Sequence, residues 1–180
     1  MTNKHLTIYL YTGLISGVIG WGGNLLLPEG SLAFNIFPGI ILGLALFLCG
    51  IQVAAIPKPK RAQAGILLIV FTIVGWRLSV ELAPYVNVYF RYIAPGAIGA
   101  FVVAIGLLST WHVPRNRFAF VLWLTLSGAI GGLIFQLILA TSLVIAEDLQ
   151  PLVLLVEWQT ILMLCIGLAM ARSKLVENTN

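Results

Sequence analysis

Residues 63–83 read QAGILLIVFTIVGWRLSVELA, and this stretch indicates what kind of protein the chain forms. Its first fourteen residues carry no charge, and as a helix the whole stretch is long enough to cross about 30 Å of hydrocarbon. Comparable apolar stretches recur along the chain with short connections between them. The predicted spans lie at about residues 5–27, 31–56, 63–83, 88–111, 118–146 and 151–171. The predicted fold class is therefore all-α, a polytopic membrane protein with six transmembrane helices.

The composition agrees with a protein that lies almost wholly in a lipid bilayer. Of the 180 residues 60% are hydrophobic and 9% are charged, with a mean hydropathy of +1.03. A soluble domain carries about 25% charged residues. No long polar stretch remains for a soluble domain, so residues 1–180 are expected to form a single transmembrane domain. The net charge of +4 predicts no nucleic-acid partner, because most of the cations flank apolar stretches.

The charged residues predict how the chain is oriented. If all six spans cross, eight of the ten cations share one side: Lys4, Lys58, Lys60, Arg61, Arg115, Arg117, Arg172 and Lys174. The other side holds Glu29, Glu81, Glu147 and Asp148. The positive-inside rule then predicts that both termini are cytoplasmic. The compact chain shows no transit peptide, which favours multi-pass insertion in a bacterial plasma (inner) membrane.

The spacing of glycine, tryptophan and proline predicts an internal repeat. VIGWGGNLLLPE at residues 18–29 matches IVGWRLSVELAP at 73–84, and Pro38-Gly39 matches Pro95-Gly96 57 residues later. A helical hairpin used three times in parallel explains both matches. The predicted repeats are residues 5–61, 62–117 and 118–174. The alternative is coincidence, because membrane helices draw on few residue types. Mitochondrial carriers also use three hairpins, but their charged signature does not follow the prolines here.

Small residues also recur at four-residue spacing, which lets helix backbones approach closely. The pairs are Gly13 and Gly17, Ser16 and Gly20, Gly39 and Gly43, Gly128 and Gly132, and Gly167 and Ala171. We expect these pairs to pack helices within one chain. Contacts in a homo-oligomer are the alternative.

Ionisable and polar residues within the spans are the candidates for a binding site, because they are costly to insert. Most fall in the half of the membrane opposite the cations. The candidate ligand-binding residues are Arg77, Glu81, Arg91, Glu157, Trp76, Trp158, Gln136 and Asn24. We expect Arg77 to pair with Glu157 in a cavity open to the outside, and Glu81 to pair with Arg91 at its rim. In the alternative, Arg77 pairs with Glu81 along one helix, and Glu157 is neutral or reaches toward the interface.

The predicted function is binding or transport of a small molecule or ion through this outward-facing cavity, alone or as a transporter subunit. The alternative is a non-catalytic membrane subunit or assembly factor of a larger complex. A channel formed by a homo-oligomer is a further alternative. No enzymatic activity, metal or cofactor is predicted. His5 and His112 stand in separate segments, and no metal-ligand spacing or phosphate-binding loop occurs.

Overall fold

The fold is all-helical, as predicted. The computed structural model describes residues 3–113, 116–141 and 149–177, and the side chains of 5–113, 116–141 and 149–171. Every regular element in these ranges is a helix. The six long ones are α1 (Asn3–Leu26), α2 (Leu32–Gln52), α3 (Arg61–Leu82), α4 (Ile93–Thr110), α5 (Arg117–Thr141) and α6 (Gln150–Glu177). Short 3₁₀ turns lie at Lys58–Lys60, Ala83–Tyr85 and Val88–Phe90.

Five of these helices, α2 to α6, are long and apolar enough to cross a membrane, by length and composition. This count is compatible with a polytopic membrane protein. The first helix has 24 residues, which is long enough, but it contains five glycines together with Asn, Thr and Ser residues. These residues dilute its apolar character, so α1 falls outside the group of five.

Helix α2 ends earlier than the predicted limit of 56. Ala54 adopts a left-handed backbone conformation, with φ of 56°. The Ala55 and Ile56 N–H groups both donate to the Gly50 carbonyl, at 2.8 and 3.2 Å. A left-handed residue of this kind ends a helix and satisfies its last carbonyls. The prediction missed this turn because its residues are as apolar as the helix before them.

The predicted ends of two other spans also differ from the structure by several residues. Helix α4 begins at Ile93 rather than at 88, because the preceding residues form a 3₁₀ turn and a short linker. Helix α6 continues beyond 171 to Glu177. The predicted end of the fifth span, at 146, lies outside the described residues.

The six helices form a closed ring. Each packs against its neighbours in chain order, and α6 packs against α1. Neighbours run antiparallel. Gly13 of α1 lies opposite Thr160 of α6, and one turn further along α1 Gly17 lies opposite Val156, one turn earlier in α6. The ring therefore consists of three consecutive helical hairpins, α1–α2, α3–α4 and α5–α6.

Glycines allow close approach at the contacts between successive hairpins. A Cβ on Gly17 would lie 2.5 Å from Val156 Cα at the α1–α6 contact. At the α2–α3 contact, a Cβ on Gly43 would lie 2.6 Å from Ile69 Cα. Real Cβ atoms do not approach this closely, so both positions need the small residue. The expectation that these glycines pack helices within one chain is confirmed.

The third contact between hairpins, α4–α5, follows the same pattern. Gly128 of α5 lies directly against the Gly96 backbone of α4, and Gly132 lies against the Tyr92 carbonyl. Each of the three contacts thus includes a pair of glycines four residues apart on one helix, and such pairs favour close packing of helices in lipid.

One end of the ring carries Lys58, Lys60, Arg61 and Arg117, and we call it the basic end. The interior is filled there. Tyr9 and Trp111 pack with ring centroids 6.5 Å apart, and both are buried. The His112 N–H donates to the Ala55 carbonyl at 2.8 Å, which joins the turns after α2 and α4. These contacts close the ring at the basic end.

The buried core extends from the basic end toward the middle of the ring. Its fully buried members include Leu46, Leu68, Val103, Leu107, Leu124, Leu162, Met163 and Ile166. All six long helices contribute to it. The other end of the ring, where the Ala83–Tyr85 and Val88–Phe90 turns lie, is called the opposite end.

Candidate functional site

A cavity of about 180 Å³ lies inside the ring toward the opposite end. Its walls come from α3, α4, α5, α6 and the linker before α4. Because α3 and α6 are not neighbours in the ring, a space bounded by both of them lies in the ring interior. The lining residues are Trp76, Ser79, Val80, Ala83, Arg91, Tyr92, Pro95, Gly96, Gly132, Leu154, Leu155 and Trp158.

Helix α3 presents one face to this cavity. Trp76, Ser79, Val80 and Ala83 are spaced three, four and seven residues apart, which places them on one side of a helix. The Ser79 hydroxyl donates to the carbonyl oxygens of Gly75 and Pro95, each 2.8 Å away. The hydroxyl therefore ties α3 to the first turn of α4, and this wall of the cavity is held in place.

Trp158 forms the facing wall. Its ring reaches from α6 to α4, so a Cβ on Gly99 would lie 3.3 Å from Trp158 Cζ2. A Cβ on Gly96 would lie 3.4 Å from its Nε1. This Nε1 is buried and has no hydrogen-bond partner among the described residues. The cavity is therefore bounded by the apolar ring of Trp158, with the indole N–H packed behind it.

Arg91 supplies the positive charge of the site. It is exposed in the linker between the Val88–Phe90 turn and α4, and it lines the cavity. No acidic side chain in the described ranges forms an ion pair with it. A guanidinium at the edge of an apolar space is suited to bind a carboxylate or phosphate.

Contacts with α5 hold the linker that carries Arg91. Gln136 Nε2 donates to the Tyr89 carbonyl at 3.1 Å. The rings of Tyr92 and Phe135 pack edge to face, with centroids 4.9 Å apart. Gln136, a candidate ligand-binding residue, thus positions the linker and does not line the cavity.

The predicted pair of Arg77 with Glu157 is not formed. Arg77 pairs with Glu81, one turn along the same helix. The two side chains are 34% and 56% exposed, and neither lines the cavity. Side chains four residues apart on a helix are within reach of each other without any tertiary contact. The alternative, a pair within one helix, is therefore confirmed.

The predicted rim pair of Glu81 with Arg91 is not formed either, since the carboxylate of Glu81 is engaged by Arg77. Glu157 and Asn24 also lie away from the cavity lining. Both carboxylate oxygens of Glu157 are buried without a hydrogen-bond partner among the described residues. Its Oε1 would lie 3.6 Å from a Cβ on Gly131 of α5. Asn24 Oδ1 is likewise buried and unpartnered.

The structure therefore brings together three of the eight candidates, Trp76, Arg91 and Trp158. Sequence reasoning missed Ser79, Tyr92 and the apolar lining residues. Small and apolar side chains in a membrane helix look the same whether they face a neighbour, lipid or a cavity. The repeated Pro-Gly was the available signal for Pro95 and Gly96, and it was interpreted only as evidence for a repeat.

In the described ranges, no three His, Cys, Asp or Glu side chains group closely enough to hold a metal ion. Among the described residues that line the cavity, none is acidic. Comparison with known proteins adds no further assignment: no protein-family model, curated protein or solved structure matches this chain.

Proposed function

We propose that this chain is a non-catalytic membrane protein that captures a small molecule in the cavity, from the side opposite the basic end. The single observation that carries the proposal is the difference in packing between the two ends of the ring interior. The ring interior is packed with buried side chains toward the basic end and contains a cavity of about 180 Å³ toward the opposite end. Such a cavity favours uptake from one side. Transport, alone or as one subunit of a transporter, then requires a rearrangement of the packed half.

The proposed topology has six spans with both termini in the cytoplasm of a bacterial cell. Five helices meet the length and apolarity of a span, and α1 is long enough to be the sixth. Six antiparallel spans place Lys58, Lys60, Arg61 and Arg117 on one side. The positive-inside rule makes that side cytoplasmic, so the cavity faces outward.

We also propose that the three hairpins are copies of one repeat. The two Pro-Gly pairs support this proposal, because Gly39 and Gly96 occupy corresponding contacts. Gly39 packs on Ile73 of the following hairpin, and Gly96 packs on Gly128 of the following hairpin. A repeat of this kind places a site near the axis of the ring.

The lining indicates the class of ligand. A cavity of about 150 Å³ is enough for a molecule the size of benzene, so 180 Å³ suits a small ligand with few non-hydrogen atoms. The rings of Trp76 and Trp158 favour an apolar or planar body. Arg91 favours a carboxylate or another anionic group at the cavity edge. The proposed ligand is therefore a small organic anion or zwitterion.

Native mass spectrometry tests this function on protein released gently from its own membranes. We expect wild-type protein to carry a small bound mass. Val80→Trp should fill the cavity and remove that mass, whereas Val74→Trp should retain it. The two valines are matched, since they are 42% and 43% exposed on the same helix and only Val80 lines the cavity.

A second pair of variants, Arg91→Gln and Arg117→Gln, tests whether binding needs the positive charge of Arg91. Both arginines are exposed, and they lie at opposite ends of the ring. We expect Arg91→Gln to lower occupancy about tenfold, the equivalent of one charge-assisted contact, and Arg117→Gln to leave it unchanged. A wild-type protein without a bound mass contradicts the proposal, as does a mass that survives Val80→Trp.

A second candidate function, a subunit of a larger membrane complex, is favoured by Glu157. An ionised carboxylate without a partner is costly in a membrane, and both oxygens of Glu157 lack one among the described residues. To satisfy it, a partner subunit would have to bring a cation between α5 and α6, because both oxygens are buried there in the single chain. In that case another protein should co-purify with the wild-type chain and be lost from Glu157→Gln, while any small ligand is retained.

A further inference from the structure

A second, larger space lies between α1 and α2 on the basic half of the ring. This groove has a volume of about 580 Å³ and is separate from the central cavity. Its lining residues are Thr7, Ile8, Tyr11, Thr12, Ile15, Ser16, Ile19, Ile41, Leu44, Ala45, Leu48, Cys49 and Gln52. Several of them are substantially exposed, so the groove opens to the outside of the ring. Among its large apolar side chains, the most exposed are Tyr11, Ile15 and Leu48, at 57%, 55% and 58%.

The length of the groove matches one leaflet of a bilayer. Along α1 it runs from Thr7 to Ile19, and along α2 from Gln52 to Ile41. Twelve residues of helix span about 18 Å, and half of a typical hydrocarbon core is about 15 Å. The groove starts at the basic end, so it covers the leaflet on that side.

The walls of the groove are suited to an apolar occupant. Two of its few polar side chains donate their hydroxyl hydrogens to backbone carbonyls of α1 itself. The Thr12 hydroxyl donates to the Ile8 carbonyl at 2.7 Å, and the Ser16 hydroxyl donates to the Gly13 carbonyl at 3.1 Å. The other lining residues are aliphatic, apart from Thr7, Tyr11, Cys49 and Gln52.

The rim of the groove favours a thin chain over a helix. Transmembrane helices associate through small residues that let their backbones approach. The glycine pairs of α1 and α2 face other contacts within the ring: Gly13 and Gly17 face α6, and Gly39 and Gly43 face α3. The rim instead carries large side chains such as Ile15 and Leu48, which keep a second helix at a distance.

Charge at the mouth of the groove selects the kind of lipid. Gln52 lies exposed at the mouth, and the turn that follows α2 leads directly to Lys58 and Lys60. Both lysines are exposed, and neither forms an ion pair with any acidic side chain that the structure describes. Lysines at the membrane surface attract anionic lipid headgroups.

We propose that the α1–α2 groove is a lipid site, which holds an acyl chain of an anionic phospholipid from the leaflet at the basic end. The headgroup lies over Gln52, with Lys58 and Lys60 beside it. The chain follows the groove to Ile19 and Ile41. This site is independent of the central cavity, and it stands whether or not the cavity binds a ligand.

Lipid titration with native mass spectrometry tests the site on the full chain in detergent. The probes are phosphatidylglycerol and phosphatidylcholine with identical acyl chains. We expect one phosphatidylglycerol to bind in preference to phosphatidylcholine. Ala45→Phe places a ring inside the groove and should weaken phosphatidylglycerol binding about tenfold, which corresponds to about 1.4 kcal/mol. Ala119→Phe, at an exposed position of α5 outside the groove, should leave it unchanged.

A double variant, Lys58→Gln with Lys60→Gln, tests the headgroup and does not disturb the helix packing. It should remove the preference for phosphatidylglycerol over phosphatidylcholine, whereas Arg117→Gln should keep it. This double variant alone decides the matter if Ala45→Phe does not fold. Equal affinity of the wild type for both lipids overturns the proposal. So does a stable dimer without bound lipid that Ala45→Phe dissociates, because a second copy then occupies the groove.

Discussion

The two halves of the ring differ in what fills their interior. On the basic half, Leu46, Leu107 and Ile166 are 0% exposed, and the Tyr9–Trp111 contact closes the end. The opposite half contains a cavity of about 180 Å³. Buried polar atoms without a described partner occur in both halves, as at Trp111 Nε1 and Trp158 Nε1. Empty space and unpartnered polar atoms both cost stability. The comparison teaches that the basic half is packed as folding favours, while the opposite half retains a space that folding alone does not favour.

The largest effect should come from emptying the packed half. Leu107→Ala removes a side chain that is fully buried, and we expect it to lower the free energy of unfolding by about 2–5 kcal/mol. Leu154→Ala removes the same atoms beside the existing cavity and should cost about 1 kcal/mol or less. Unfolding in mixed micelles, followed by circular dichroism, measures both. Equal losses would mean that the two halves are packed alike.

A somewhat smaller effect should come from the contacts between hairpins. Gly17→Ala places a Cβ 2.5 Å from Val156 Cα, whereas a Cβ on Gly22 of the same helix meets nothing within 4 Å. We expect Gly17→Ala to destabilise by about 1–3 kcal/mol, because α1 must move away from α6. Gly22→Ala should be neutral or slightly stabilising. The same unfolding assay measures the pair, and a harmless Gly17→Ala would contradict the close approach of α1 and α6.

Labelling of introduced cysteines by a thiol reagent, in intact cells, tests the comparison between the two halves of the ring. In a chain with Cys49 and Cys165 replaced by alanine, we compare Val80→Cys at the cavity with Val103→Cys in the core. The valines are 42% and 1% exposed. A membrane-impermeant maleimide should label position 80 about tenfold faster or more, because thiol reactivity follows exposure. Labelling of position 80 only after the cells are opened would place the cavity on the cytoplasmic side.

The smallest effect should come from the Arg77–Glu81 pair. It is partly exposed and lies outside the cavity. Glu81→Gln should cost about 0.2–0.5 kcal/mol, as for other pairs one turn apart on a helix, and should leave ligand occupancy unchanged. A double-mutant cycle of Arg77→Gln with Glu157→Gln should show no coupling. Strong coupling in that cycle would mean that Arg77 and Glu157 interact after all.

Much of the helical framework was predictable, because the hydropathy of a segment depends only on the residues of that segment. The all-helical class and the approximate position of every long helix agree with the structure. The end of α2 was not predictable in this way, because its turn is built from Ala54, Ala55 and Ile56. Apolar residues in a turn carry the same hydropathy as apolar residues in a helix.

The candidate site was predictable only in part. Trp76, Arg91 and Trp158 stood out as charged residues within the predicted spans or as aromatic residues beside such charges, and they line the cavity. Arg77 and Glu157 stood out for the same reason, yet the structure does not bring them together. Whether two such residues meet depends on which helices adjoin and on the face that each helix turns inward.

The sequence by itself determined the all-helical class, the placement of the helices and the glycines that pack them. These are local properties, because the apolar length of a segment and the missing side chain of a glycine belong to single segments. Only the tertiary structure decided that α6 closes the ring on α1 and that the space inside is packed at one end and contains a cavity toward the other. Those features arise where residues far apart in the chain meet, and no single segment contains that information.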